Sequence, residues 1–568
     1  MWEGVDLQIY ANVLRTIMRY LAPGLAGLLI LRCGWPLLTF RREPEIWAWL
    51  TLDNGDRLPI THWENVLGSG KRCDIVMVYP NVARNHGVLI RYDDGSWCVS
   101  ATDARCLVTV NGEKVSICQV QDGDRIGIAG VEMDFQPITH AQARKLASLR
   151  TKASNGWNSI LNVLLLTVLQ ILILGGFLLP GEDGQVFAYL VGFLGLIFLQ
   201  WALFFLYCCI RKPAFELETI AFLLCTMGMA VICAVKPTEA IKQTICMFAG
   251  VMLFLLVGWS LRDLDRARKI RYVAAVLGAV LLVLVLLFGQ RYYGAKNWIV
   301  MAGISLQPSE LVKICFVFVG ASTVDRLMKK RNLILFIFYT VMLCSLLALM
   351  NDFGTALVFF FAFLMVAYMR SGSVGTVALA CTALGYAGVI GLKMAPHAMQ
   401  RLTTWRHIWE DPWNTGYQQT RALMCIASGG LFGLGQGQGK MKTVFAADSD
   451  MAFATVSESW GLLMAVFLVL GILVVALFAL RSAIAARSSY YIIGACTSAG
   501  ILLVQTILNV LGTVDVLPLT GITFPFLSNG GSSMLCVWGL LAFIKAGDTR
   551  QNASFAVRLG KKRGQEDV

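Results

Sequence analysis

Three carboxylates, Asp448, Asp450 and Glu458, stand in the stretch TVFAADSDMAFATVSESWG, residues 443–461, immediately before an apolar run that begins at Leu462. A carboxylate there is either a proton acceptor held for chemistry or a solvated acid favoured by the positive end of a helix. Residue type alone leaves both open. In ISLQPSELVK, residues 304–313, Glu310 and Lys313 are spaced i, i+3, so on a helix they share a face and neutralise each other. A charged pair entering an apolar run is costly unless paired or functional, and here an interhelical clasp and a catalytic role are equally open. In NDFGTALVFF, Asp352 and Gly354 interrupt two further runs. The glycine suits a tight turn and the carboxylate a buried hydrogen bond. The segment 401–440 sets Arg401, Arg406 and Arg421 among aromatics and glycines ahead of Lys440 and Lys442. Loops longer than roughly 15 residues without a fold of their own tend to be functional.

The elements that position these residues follow from composition. The chain has 568 residues, 57% of them hydrophobic and only 15% charged, with a mean hydropathy of +0.65, which excludes an ordinary soluble protein. About thirteen apolar runs approach the roughly 20 residues that cross a bilayer: one near 20–40, two at 157–179 and 186–210, and the rest between 217 and 546. The run near 20–40 contains Arg32 and two prolines, so it reads as an anchor or a re-entrant segment. Lys and Arg clusters such as RKP, RDLDRARKIRY and DRLMKKRN fall on one side when the runs are threaded alternately, and that side is expected to be cytoplasmic. Residues 395–460 and the break LPLTGITFPFLSNGGSS, 517–533, are then external. The net charge of +13 is explained by anchoring against anionic lipid, and no nucleic-acid partner is needed. The sixteen cysteines show no metal-ligand spacing, and no glycine cluster opens a βαβ unit, so nucleotide binding is not supported.

Residues 42–150 differ in kind. Short alternating runs separated by Asn-Gly and Asp-Gly turns predict a compact all-β module. Gly68, Asp74, ARNHG, VNG and DGDRIGI resemble the forkhead-associated (FHA) domain, a phosphothreonine-recognising β-sandwich, over about 45–136. Arg84, His86, Asn111 and Gly112 keep that pattern. Ser69 stands where the family has its phosphate-contacting Arg, Ala83 where it has Ser, and Cys106 where it has Asn. Loss of the guanidinium removes much of the charge-assisted affinity for phosphate. Phospho-independent docking of a cytoplasmic protein, or a structural role, is therefore expected, with a substitute cation at Lys71 or Arg72 as the alternative.

GAKNW…LQPSELVK, DFGTALV, DPWNTGYQQTRALMCIASGGLFGLG, SDMAFATVSESWG and LPLTGITFPFLSNGGSS occur in the order and spacing of the SEDS family, whose members include FtsW, RodA and SpoVE, over about 217–548. The resemblance implies a polytopic α-helical membrane protein of the bacterial cytoplasmic membrane. Its ten-span SEDS core, 217–548, would be preceded by an anchor (1–41), a cytoplasmic FHA-like sandwich (42–150) and two added spans (151–216), and followed by a basic tail (549–568). It further implies a peptidoglycan glycosyltransferase that polymerises lipid II beside a class B penicillin-binding protein. PFLSNGGSSM resembles FtsW more than RodA, which does not separate division from elongation or sporulation. A lipid-linked precursor transporter and a noncatalytic scaffold are the other classes, but no inverted repeat of the transporter kind is visible.

Glycosyl transfer from a lipid diphosphate to a sugar hydroxyl needs a base for the hydroxyl proton and cations for the departing diphosphate. The resemblance assigns the base to Asp450. A divalent cation, Mg²⁺ or Mn²⁺, held partly by carboxylate, is an expected aid. Glu458 matches a family Glu and supports the site or pairs with a cation, whereas Asp448 reads as solvated surface. Trp298, Gln307, Ser309, Glu310, Lys313, Asp352, Arg401, Arg406 and Ser528 are the remaining expected supporting or substrate-binding residues. Phe445 and Ser457 depart from the family pattern without removing a carboxylate.

Overall fold

Alternating apolar positions between residues 48 and 137 make strands because every second side chain can face one core. The structure, a computed structural model, describes residues 2–39, 45–70, 73–92, 95–103, 105–139, 141–142, 156–178, 184–210, 214–292, 295–301, 304–325, 330–371, 373–394, 396–484, 486 and 488–550. The strands are β1 (Ala48–Leu52), β2 (Arg57–Ile60), β3 (Glu64–Gly68), β4 (Ile75–Val76), β5 (Gly87–Arg91), β6 (Trp97–Ala101), β7 (Val108–Val110), β8 (Glu113–Val115), β9 (Ile117–Val120), β10 (Arg125–Ile128) and β11 (Val131–Pro137). They form a six-stranded sheet, β2-β1-β11-β10-β7-β8, packed on a five-stranded sheet, β4-β3-β5-β6-β9. Leu50, Leu89, Val99, Ile128 and Phe135 are fully buried between them, each burial stabilising by roughly 1.5–3 kcal/mol. Asn111 and Gly112, both at positive φ (52° and 84°), close the β7–β8 hairpin.

The residues at the positions where the FHA pattern departs make local contacts. Ser69 donates its hydroxyl to the carbonyl of Val82 (2.8 Å), tying two loops together. His86 accepts from the Ala83 amide at Nδ1 (3.0 Å), which leaves Nε2–H to donate to Leu107 O (2.9 Å), a scaffold role. Cys106 is buried. Lys71 and Arg72 lie outside the described residues.

The rest of the chain is helical: α1 (Trp2–Leu38), α2 (Gly156–Leu178), α3 (Val186–Cys209), α4 (Glu216–Val235), α5 (Ala240–Leu261), α6 (Leu264–Phe288), α7 (Pro308–Asp325), α8 (Lys330–Leu349), α9 (Phe353–Ser371), α10 (Val374–Met394), α11 (Pro396–Thr404), α12 (Tyr417–Gly429), α13 (Ala452–Trp460), α14 (Leu462–Ala483), α15 (Ser489–Thr513) and α16 (Gly531–Ala546). Nine helices among the described residues, α1–α6, α8, α14 and α15, are long and apolar enough to cross a membrane, and α9, α10 and α16 are shorter apolar helices. With α7, which carries Glu310, Lys313 and Asp325, they account for every apolar run read from the sequence.

Three differences from expectation have physical causes. Helix α1 starts at Trp2 and runs unbroken through Pro23 and Pro36; within it Arg32 donates to Asn162 of α2 (2.9 Å). Residues 290–306 form a small sheet, β12 (Gln290–Tyr292), β13 (Ala295–Met301) and β14 (Ile304–Leu306), which satisfies backbone that could not continue a helix. Residues 395–460 are not a plain loop but contain α11, α12 and α13.

The β-module sits at one end of the bundle. Glu64 pairs with Arg268 of α6 (2.8 Å) and accepts from the Ser488 hydroxyl (3.0 Å) and the Ser489 amide (3.3 Å) at the start of α15. Trp63 packs on the helical core. Beside them Glu216, Glu218, Lys545, Asp548 and Arg550 are all buried. Lys545 meets Glu218 at 3.1 Å and Ala214 O at 2.7 Å, Arg550 meets Asp548 at 2.7 Å and Glu216 at 3.3 Å, and Tyr207 donates to Glu218 at 2.8 Å. Within the apolar layer, Gln170 of α2 donates to Gln200 of α3 (2.9 Å) and to Thr226 of α4 (3.0 Å), and Gln200 donates to Thr167 (2.8 Å).

Candidate active site

The site is built at the end of the bundle away from the β-module. Asp450 stands two residues before α13, in a turn that opens when Ala446 takes a positive φ (58°) and Met451 N bonds back to Ala446 O (3.0 Å). The amide of Asn509, from α15, donates to Asp450 O (2.8 Å) and to Ile522 O (2.7 Å), lashing the turn to the irregular segment 517–530. In that segment Gly521 has φ +71°, and a Cβ placed there would lie 3.4 Å from Asp450 Oδ2 and 3.6 Å from Arg401 Nη1. Carboxylate and guanidinium therefore flank this backbone position, and its positive φ is what favours glycine there. No described side chain donates a hydrogen bond to the Asp450 carboxylate. Burial pushes that carboxyl up to about 6; Arg401 pulls it down, while Asp448 and Asp352 add to the rise. A carboxylate titrating near neutrality beside a cation has the properties of a general base.

Ser528 belongs to the same constellation, donating to Ser449 O (2.6 Å) and accepting from the Phe524 amide (2.8 Å). Arg401, from α11, also donates to Leu519 O (3.4 Å). Asp448 is not solvated surface. It is buried, paired with Lys236 (3.0 Å) and hydrogen-bonded by the Asn529 side chain (2.7 Å) and amide (2.8 Å to its carbonyl). Its position in the turn before α13, bonded to Asn529 of the 517–530 segment, takes it out of water, which no local pattern signals.

Glu458 is a loop support and not a cation partner: its two oxygens accept the backbone amides of Lys440 and Met441, each at 2.8 Å. Asp352 caps α9 through the Thr355 amide (3.1 Å) and accepts from Asn297 (3.3 Å) and Gln307 (3.5 Å). Gln307 N in turn bonds Ser532 (3.2 Å), and Trp298 pairs with Gln290 across β12–β13 in the same patch. Glu310 and Lys313 form a buried pair at 2.6 Å one turn further into α7, with Ser309 buried next to them. Arg406 is not drawn into the site. Its guanidinium lies over the Trp405 ring at 5.0 Å and its amide reaches Asp515 (3.3 Å). Reading the sequence missed Asn509, Lys236 and Asn529. Asn509 alone offered a signal, being an amide inside an apolar run.

Among the described residues no three His, Cys, Asp or Glu side chains converge on a metal-sized site. The carboxylates of Asp448 and Asp352 are spent on protein donors, so Asp450 alone is no metal cage.

The sequence profile of the FtsW/RodA/SpoVE family, described as cell cycle protein, matches residues 217–552. The chain belongs to this family. All the site elements above lie inside the matched span, and α1, α2 and α3 lie outside it. Among FtsW/RodA/SpoVE relatives, the chain is 30% identical over 328 residues to the peptidoglycan glycosyltransferase RodA of Mycobacterium tuberculosis, covering 54% of this chain and 70% of that one. It is 26% identical over 349 residues to the stage V sporulation protein E of Bacillus subtilis, covering 57% and 93%. A chain of a peptidoglycan synthase complex, solved for its coordination of polymerization and crosslinking, shares the fold with a TM-score of 0.50 at 23% identity, over 58% of this chain and 96% of that one. The FHA domain profile matches residues 65–129.

Proposed function

We propose that the chain is a peptidoglycan glycosyltransferase that polymerises lipid II. The observation that carries this is the unliganded Asp450 carboxylate, raised to about 6, facing Arg401 across Gly521. Asp450 accepts the proton of the attacking sugar hydroxyl, and the hydroxyl oxygen forms the new glycosidic bond as the bond from the anomeric carbon to the diphosphate oxygen breaks. Arg401 meets the charge that gathers on the departing lipid diphosphate. A bound Mg²⁺ or Mn²⁺ would add positive charge there, but these residues do not build a cage for one, and the proton transfer and charge stabilisation rest on Asp450 and Arg401.

The distribution of Lys and Arg supports a multi-pass arrangement with the β-module and the C-terminal tail cytoplasmic and the Asp450 end external, where a class B penicillin-binding protein would work on the emerging glycan. The β-module would dock a cytoplasmic protein through contacts that do not need phosphothreonine, given Ser69, Ala83 and Cys106. The test is polymerisation of purified lipid II by the purified full-length chain, alone and with candidate class B penicillin-binding proteins. Long glycan strands are expected with the right partner, and their absence with every partner would overturn the reading.

A further inference from the structure

The segment that follows α12 is laid against the end of α13 by close backbone contact. Leu434 N donates to Glu458 O (2.8 Å) and Gly435 N to Ser459 O (3.1 Å). A Cβ at Gly429, Gly433 or Gly439 would collide with Ser457 O, Ser459 O or the Glu458 carboxylate. Further along the segment, Glu458 grips the amides of Lys440 and Met441, and the Met441 side chain is buried in the same small cluster as Met451, next to Asp450. The height of this segment along α13 therefore sets where Asp450 stands.

What fixes that height from the other side comes from outside the family-matched span. Gln436 is 5% exposed and turns away from the site into α2, where its Nε2 donates to the carbonyl of Ile173 (3.0 Å). Its Oε1 lies where a Cβ of Gly176 would be. A side chain at 176 would push the Gln436 amide out of that notch. One helix over, Tyr20 of α1 packs its ring on Phe432 at 5.0 Å. A polar side chain sunk into the face of an apolar helix is expensive to place, and here it joins an added helix to the segment that holds Glu458.

We propose that Gln436 is a positioning residue for glycosyl transfer, docked in the Gly176 notch so that α2 sets the register of residues 433–441 and, through Glu458 and Met441, the stance of Asp450. This rests on the glycosyltransferase reading above. The added helices are then part of the catalytic apparatus in this chain, although the catalytic groups themselves lie in the family core.

The test uses the full-length chain with its penicillin-binding partner. Gln436→Met keeps the side chain's length and loses the bond to Ile173 O; Gly176→Val fills the notch from the other side. Each is expected to lower the turnover of lipid II per folded molecule by about tenfold or more, the scale of a small misplacement of a reacting group, with KM for lipid II unchanged. Gly176→Val combined with Gln436→Ala relieves the collision but leaves the bond to Ile173 O unmade, so turnover should stay as low as in Gln436→Met. Hydrogen exchange provides a reading independent of activity: the Leu434 and Gly435 amides should lose protection in Gln436→Met. Normal turnover with normal protection in Gln436→Met overturns the proposal alone, as does a loss of turnover that merely follows a lower melting temperature. A wild-type chain that makes no glycan with any partner overturns the glycosyltransferase reading and the proposal with it.

Discussion

The two ends of the bundle use the same residue types to opposite effect. At the β-module end, Glu216, Glu218, Lys545, Asp548 and Arg550 are buried together, and each carboxylate meets a cation within 3.3 Å. At the other end Asp448 is likewise saturated by Lys236 and Asn529, but Asp450, two residues away, has Arg401 near it and no side-chain donor on its oxygens among the described residues. A saturated cluster holds helices in place and has no capacity left for a ligand. An unsaturated carboxylate next to a cation is costly to maintain, and the turn around it is correspondingly over-determined by Asn509, Ser528 and the Ala446–Met451 bond. Fully buried, paired charge thus marks architecture, whereas the half-buried Asp450, unpaired among the described residues, marks chemistry.

The sharpest way to break this contrast is Asp450→Asn, which keeps shape but cannot take a proton. Turnover of lipid II should fall by on the order of 10²–10⁴. The wild-type rate should be half-maximal near pH 6, fall below it and level off at higher pH, because the base must be ionised. Stability moves the other way. The folded protein holds that proton more tightly than the unfolded chain, so ionising it above pH 6 costs folded stability, and Asp450→Asn should melt no lower than wild type at pH 7. A variant that polymerises normally would place Asp450 with the architectural charges.

At the saturated end, Lys545→Met leaves Glu218 buried without its cation and should cost about 3–5 kcal/mol of stability. This would be seen as a lower melting temperature in detergent, with turnover per folded molecule unchanged. Equal melting and reduced turnover would instead make this cluster functional.

Asp448→Asn should be intermediate. It weakens the hold of Lys236 and Asn529 on the residues beside Asp450 and should lower turnover by about tenfold, equivalent to 1.4 kcal/mol. Because Asp448 helps raise the Asp450 carboxyl, the pH at half-maximal rate should also move below its wild-type value. An unchanged midpoint would mean that the two carboxylates do not sense each other. The smallest effect is expected at the β-module: phosphothreonine peptides should bind the full-length chain less than about tenfold, or 1.4 kcal/mol, better than unphosphorylated forms, as calorimetric titration would show. A larger preference would mean that a cation has replaced the missing guanidinium.

Much of this was legible in the residues. Apolar runs of spanning length appear as helices because length and hydropathy decide insertion, and the β-module follows from alternation and turn residues. The pairing of Glu310 with Lys313 was fixed by i, i+3 spacing. The environments of Asp448 and Glu458 were not legible, since a carboxylate's partners come from segments such as 236, 440 and 529 that are remote in sequence. Strands β12–β14 were missed for the related reason that short strands beside long helices are selected by tertiary contact and not by propensity.

The Gln170–Gln200–Thr226 network has a consequence for biogenesis. Helices α2 and α3 emerge before α4, and each carries an amide that hydrocarbon cannot satisfy. Their amides can satisfy one another in part at once, because Gln170 donates to Gln200 and Gln200 to Thr167, so the pair can leave the insertion machinery as a hairpin. The second N–H of Gln170 then stays unmet until Thr226 arrives. The network thus gives nascent α4 a polar address on a hairpin already assembled, and orders the joining of the added helices to the catalytic core in time as well as in space.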